Sequence, residues 1–261
     1  MSYWVFLAIS LLACSVGFYK YVWFFSVGYG FAIAAIGVAL PIAFHGVMGV
    51  PEWLACILLV IYGARLGGYL MTRELKSASY RKTVAPELAR KMPFGAQVAL
   101  WISCGLLYTL MTSPIFYRLQ NGAQAIAWLW IGLPLMIGGI LLEIIADMQK
   151  SAAKKKNSGR FVDTGLYRFV RCPNYLGELL LWLGVFISGI GALQGIGQWV
   201  MAVLGLLLIA WVMFSGARRL EIRQDRNYGN DPEYQKYIST VPVIIPFIPL
   251  YSVKKYKFLV A

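Results

Sequence analysis

Apolar residues in this chain gather in long continuous runs, with neither the strict alternation of a half-buried strand nor the narrow stripe of a soluble helix. Seven such runs can be marked: Tyr3–Phe24, Val27–Met48, Glu52–Met71, Gly95–Ile115, Gln124–Ile145, Tyr175–Gly191 and Gly197–Ser215. A bilayer core about 30 Å thick takes roughly 20 apolar residues per helix. Inside hydrocarbon the backbone must satisfy its own polar groups, so these runs are expected to be helices. The pattern predicts an all-α fold, a polytopic membrane bundle of seven transmembrane helices. The link Gly49-Val50-Pro51 is short enough to make the second and third runs an antiparallel pair. The sixth run has a polar start and several glycines, which suits a tilted or broken helix. Pro242–Pro249 is apolar but too short to cross, and its prolines forbid a regular helix. That segment is expected to pack on the bundle or lie at the membrane interface.

The polar positions set an orientation. Basic residues crowd Arg73–Lys91, Lys150–Arg171, Arg218–Lys236 and the tail lysines Lys254, Lys255 and Lys257. With seven crossings these fall on one side together with Lys20, and the other side keeps little more than Arg118. By the positive-inside rule the N-terminus is outside and the C-terminus cytoplasmic. The reading is one membrane domain over 1–261. It has four helices in 1–115 and a cofactor-binding half in 124–249, with cytoplasmic loops at 148–174 and 216–241.

Composition agrees. Hydrophobic residues make up 59% of the 261 and charged residues 13%, against about 25% charged in a soluble domain. The net charge of +13 would raise nucleic acid in a soluble protein, but its confinement to loops beside apolar runs points to topology and anionic lipid. Cys14, Cys56, Cys104 and Cys172 form no CxxC pair, so neither a disulfide framework nor a zinc site is expected. The first run lacks a basic leader and is expected to be retained.

Ionisable residues within spans point to function. Arg65 lies three residues after Tyr62, on one helix face. Glu143 and Asp147 share a face near the end of the fifth run, and Glu178 lies just inside the sixth. His45 is the only histidine, near the outward end of the second run, and no HExxH is present. Gly159–Glu178, GRFVDTGLYRFVRCPNYLGE, is dense in Arg, Asn, Tyr and Gly just before an apolar helix. A second cluster, RRLEIRQDRNYGNDPEYQKY, follows the seventh run. Arginines grip anionic groups. The two clusters read as a docking surface for a soluble anionic cofactor above a lipid pocket, held without a Rossmann or Walker loop.

The stretch GLYRFVRCPNYLGELLLWLG, followed by RRLE and by YGNDPEYQKYISTVPVIIPFIP, resembles the steroid 5-alpha-reductase superfamily, in particular its bacterial reductase-like branch. The family form has a histidine where Cys172 stands. The resemblance implies seven transmembrane helices, NADPH bound on the cytosolic side, and reduction of a carbon–carbon double bond conjugated to a ketone. It implies Tyr62 as the catalytic hydrogen-bond donor. It implies cofactor roles for Asn174 and Glu178 at the nicotinamide end, Arg160 at phosphate and Asp147 at the end of the fifth helix, with Arg65 paired to Tyr62. Arg171, Arg219 and Tyr237 of the two clusters complete the expected cofactor-binding set. The family's second-helix acid is absent here: Ser26 stands in its place within FFSVGYGF, and no Glu or Asp occurs before Glu52.

Two other readings stay open. Isoprenylcysteine carboxyl methyltransferases share a similar signature and tail and use S-adenosylmethionine, but carry two consecutive glutamates after the last helix, where this chain has Glu221 alone. A non-catalytic lipid-binding or transport protein would bind no nucleotide. The partners expected are an apolar small molecule and membrane lipids, with no nucleic acid, no metal and no obligate protein partner. The expected location is a bacterial inner membrane ahead of the endoplasmic reticulum.

Overall fold

The apolar runs become helices that outlast the apolar sequence. The computed structural model of the protein describes residues 2–76, 92–122 and 126–260. Eight α-helices occur among them: α1 Tyr3–Cys14, α2 Val27–Phe44, α3 Val50–Lys76, α4 Phe94–Gln120, α5 Ile126–Lys156, α6 Pro173–Gly189, α7 Gly195–Tyr228 and α8 Pro232–Thr240. No strand occurs among the described residues. Five helices, α2 to α5 and α7, are long and apolar enough to cross a membrane by length and composition. The chain is an all-helical, multi-pass membrane protein. Of the basic stretch Arg73–Lys91, residues Arg81, Lys82, Arg90 and Lys91 lie outside the described residues, as does Gln124 at the start of the fifth run.

Several boundaries differ from the hydropathy reading. The first run does not stay helical to Phe24. α1 stops at Cys14, and short 3-10 turns follow at Ser15–Phe18 and Tyr21–Phe25. Gly17 lets the Phe24 ring close over the turn, where a side chain would collide with it, and Lys20 leaves the run to pair with Glu74 at 2.8 Å. The stretches read as loops at 148–174 and 216–241 are partly helical, because α5 runs on to Lys156, α7 to Tyr228, and α8 follows. A helix needs no apolar side chains once outside hydrocarbon, so hydropathy cannot mark its true end.

The chain divides into two compact units, residues 1–133 with 185–205, and 134–184 with 206–261. In the first unit α2 and α3 cross backbone to backbone. A Cβ on Gly30 would lie 2.4 Å from the Gly67 nitrogen, and one on Gly63 2.4 Å from the Gly30 oxygen. Small residues allow such approach, and dispersion between closely packed backbones replaces the hydrophobic drive missing in lipid. The same unit buries an ion pair, Arg118 with Glu52 at 3.5 Å. Arg118 also donates from Nε to the Ser188 carbonyl at 2.7 Å.

In the second unit α5 and α6 cross through Gly139 and Gly177. A Cβ on Gly139 would stand 2.5 Å from the Gly177 oxygen, and one on Gly177 2.9 Å from the Glu143 nitrogen. The C-terminal segment closes this unit. Arg171 N–H donates to the Pro242 carbonyl and Cys172 N–H to that of Val243, both at 2.9 Å. Val243, Ile244, Val253 and Leu259 pack with Cys172 and Ala217 in one core.

Candidate functional site

Pro173 opens α6, where its missing N–H would have had no helical partner. Asn174 follows, half-buried, and its carboxamide makes no hydrogen bond among the described residues. Glu178 comes one turn later, 4% exposed, and accepts a hydrogen bond from Trp182 Nε1 at 2.9 Å. The Gly139–Gly177 crossing brings the backbone of Glu143 beside the residue preceding Glu178. Glu143 and Asp147 are both buried. The start of α6 thus gathers an open amide and buried carboxylates at a tight helix crossing.

The loop before α6 is tied to α5 and α8. Gly165 adopts φ 63°, and its turn closes on Gln149, whose Oε1 accepts the Leu166 N–H at 2.8 Å. Tyr237 donates to the Tyr167 carbonyl at 2.7 Å, and burial pushes its phenol pKa up. Its ring stacks on Phe161 at 5.3 Å, and Phe161 also meets Tyr228 and Tyr234. Tyr234 donates to Asp225 at 2.7 Å. Burial first, and that bond second, raise its pKa.

Arg160 lies on the surface between Glu233 at 2.5 Å and Asp163 at 2.8 Å. Those hydrogen bonds raise its pKa. Arg171 is buried. It pairs with Glu221 at 3.4 Å and also donates to the Tyr251 carbonyl, while the other oxygen of Glu221 accepts the Val253 N–H at 2.9 Å. The pair clips the C-terminal segment to α7. Arg219 and Arg223 sit four residues apart on α7, exposed, and neither forms an ion pair among the described residues. Burial raises the Cys172 thiol pKa to about 11, with Lys150 and Arg171 opposing.

In the first unit Tyr62 is 1% exposed on α3. Its hydroxyl donates to that of Tyr29 on α2 at 2.9 Å. Tyr29 stacks on Tyr108 at 4.7 Å, and Tyr108 donates to the Phe24 carbonyl at 2.9 Å. Ser26 is spent locally, donating to the Val22 carbonyl at 2.9 Å. The hydroxyl facing Tyr62 therefore comes from Tyr29. Arg65 places its guanidinium 5.4 Å from the centre of the Tyr69 ring.

Of the residues expected from sequence, Tyr62 and Arg65 belong to the first unit. Asp147, Arg160, Arg171, Asn174, Glu178, Arg219 and Tyr237 belong to the second. Asn174 and Glu178 lie together on α6, and Asp147 lies on its partner α5. Arg171 is committed to Glu221 and the tail. His45 is exposed in a 3-10 turn. Sequence reading missed Trp182, though its spacing of four from Glu178 on one helix was legible. It also missed Tyr29, for which no local pattern exists. No group of three or more potential metal ligands occurs among the described residues.

One family model, described as "Protein of unknown function (DUF1295)", matches residues 9–241. The chain belongs to the DUF1295 family. This DUF1295 chain is 31% identical over 134 residues to an uncharacterised protein of Schizosaccharomyces pombe, covering 42% of this chain and 38% of that one. It is 38% identical over 63 residues to steroid 5-alpha-reductase DET2 of Arabidopsis thaliana, covering 22% and 24%. It is 29% identical over 121 residues to the very-long-chain enoyl-CoA reductase of Dictyostelium discoideum, covering 46% and 36%. The matched parts thus amount to between a quarter and two fifths of these relatives' lengths. No solved structure gives a significant match. The resemblance to the steroid 5-alpha-reductase superfamily is borne out.

Proposed function

We propose that this DUF1295 protein uses NADPH to reduce a carbon–carbon double bond conjugated to a carbonyl in an apolar substrate. The observation that carries the reading is the start of α6. The Asn174 carboxamide is half-buried and without a hydrogen bond among the described residues, four residues from the buried Glu178. An amide side chain offers one acceptor and two donors, the complement of a nicotinamide carboxamide. The exposed Arg219 and Arg223 suit the phosphates of such a nucleotide, as does the side of Arg160 left to solvent. The relatives named as reductases support the same chemistry.

The nucleotide supplies a hydride to the substrate; the chain's own residues do the rest. Tyr62 donates a hydrogen bond to the substrate carbonyl oxygen and stabilises the charge that develops there. When Tyr62 turns its proton to that oxygen, its own oxygen can accept from Tyr29, and chained hydrogen bonds strengthen one another. Burial of both tyrosines keeps water from competing.

The finer topology belongs to the same proposal: seven crossings, N-terminus outside, in a bacterial inner membrane. It requires α1 with its following 3-10 turns, and the 17-residue α6, to count as crossings beside the five long helices.

The deciding experiment is a binding comparison on detergent-purified protein by calorimetry. NADPH should bind more tightly than NADH, and Asn174→Ala and Glu178→Ala should each weaken NADPH binding in folded protein. Binding of S-adenosylmethionine with no nicotinamide nucleotide would overturn the reading. Tyr62→Phe should keep nucleotide affinity and lose about 100- to 10,000-fold in single-turnover NADPH oxidation with enone lipids, the range for a positioned acid. Equal rates would remove Tyr62 from the mechanism.

A further inference from the structure

The Pro242–Pro249 segment is used at its base and left open at its tip. At the base, Val243 N–H donates to the Leu250 carbonyl at 2.9 Å and closes the loop. Ile244 is buried in the core with Val253 and Leu259. At the tip, Phe247 is fully exposed and Ile248 is 49% exposed. Phe247 is the one non-glycine residue with positive φ among those described, at 65°. Backbone held in that region by a bulky side chain is unfavourable and persists only where the surroundings impose it. The fold therefore holds an aromatic ring outward when relaxing the backbone would have been easier.

Phe247 is not alone. It lines a hollow of about 280 Å³ with Pro246, Ile248, Phe169, Arg168 and Tyr251. Phe169 is 64% exposed, and the Arg168 guanidinium lies 5.8 Å from its ring centre. No carboxylate among the described residues lines the hollow. Lys255 and Lys257 follow in the chain, while Lys254 is taken up by Asp225. The same C-terminal segment reaches a membrane-crossing helix: Trp211 of α7 donates from Nε1 to the Phe258 carbonyl at 3.2 Å, and Phe258 is itself exposed.

We propose that the Phe247–Ile248 tip and Phe169 seat in the headgroup layer of an anionic lipid leaflet, with Arg168 holding a lipid phosphate. Outward aromatic rings beside unopposed cations are what the membrane–water interface selects. The segment continues onto the exposed surface of α7 at Trp211 through Phe258. The occupant is phospholipid, because the hollow is apolar and cationic, and the chain already lies in a bilayer. The seat would hold the C-terminal segment, and through it the Arg171–Glu221 clip, against the membrane. This inference does not depend on the reductase reading.

The test is depth measurement by spin labelling. The four native cysteines are buried, so Phe247→Cys and Phe169→Cys can be labelled selectively with a nitroxide. Asn230→Cys, on the exposed α7–α8 turn, serves as an aqueous reference. In vesicles of phosphatidylcholine with phosphatidylglycerol, collisions with oxygen relative to a water-soluble nickel chelate should be several-fold higher at 247 and 169 than at 230. Arg168→Gln should abolish any difference at 247 between these vesicles and vesicles of phosphatidylcholine alone. A label at 247 as open to nickel as that at 230 would overturn the proposal. A label shielded from both probes, with cross-linking between chains, would overturn it in favour of a second copy of the protein. If Phe247→Cys does not fold, Ile248→Cys gives the same reading.

Discussion

Two adjacent glycines on α5 should respond to alanine unequally. Gly139 faces α6 at the crossing. Its added Cβ would sit 2.5 Å from the Gly177 oxygen and 2.6 Å from the Leu181 nitrogen. Both are backbone atoms and cannot swing aside, so the two helices must part by the better part of an ångström. At Gly138 a Cβ would meet nothing within 4 Å. Each substitution gains about 1 kcal/mol from helix propensity, so that part cancels in the comparison. The overpacking cost at position 139 is about 1–3 kcal/mol. Gly138→Ala should therefore stabilise the protein, while Gly139→Ala should be less stable than it by about 1–3 kcal/mol. The loss should carry into function, because parting α5 from α6 displaces the turn holding Asn174 and Glu178. Thermal unfolding followed by tryptophan emission in detergent, with NADPH titration of each variant, measures both effects. Gly139→Ala as stable as Gly138→Ala, with unchanged nucleotide affinity, would refute the crossing as described.

Glu221→Gln should destabilise by about 3–5 kcal/mol, since it leaves Arg171 charged, buried and without its carboxylate; thermal unfolding reads the loss, and limited proteolysis should cut the tail near Lys254 sooner. A wild-type rate of tail cleavage in that variant would contradict the clip. Tyr29→Phe keeps the ring against Tyr108 and removes only the hydroxyl, so turnover should fall about 2- to 10-fold, the worth of one hydrogen bond, with the Michaelis constant unchanged. Cys172 has its pKa raised in the folded state from 9.0 to about 11. Its contribution to stability should thus be complete below pH 9 and disappear as pH rises toward 11. Cys172→Ala should flatten that alkaline decline in unfolding measurements, and the native thiol should resist iodoacetamide at pH 8.

Hydropathy carried the fold as far as hydropathy reaches. Val27, where α2 begins, and Phe94, where α4 begins, fall within a residue of the expected starts, because there a polar or proline boundary coincides with the helix start. The ends were missed wherever a helix ran into polar sequence, as at Lys156 and Tyr228. The break at Cys14 was hidden because Ser15–Phe25 is almost as apolar as the helix before it. Within the candidate site, spacing on one helix was legible, as for Asn174 and Glu178. Partners from distant elements were not. Nothing near Arg171 announces that its charge is taken up by a residue 50 positions on, and nothing in FFSVGYGF says that Tyr29, rather than Ser26, faces Tyr62.

The clip formed by Arg171 and Glu221 also fixes an order of events during synthesis. Its two charges leave the ribosome with α6 and α7, but the carbonyl of Tyr251 and the N–H of Val253 that complete their hydrogen bonding emerge some 30 residues after Glu221. Until then a guanidinium and a carboxylate stand beside a membrane without their full set of partners, a state that favours continued hydration of that end of the second unit. Closing this end of the unit therefore includes dehydration of an ion pair by the arriving chain. A stalled or truncated product would remain wet at that point, and a protease that surveys membrane proteins could tell it from a finished one.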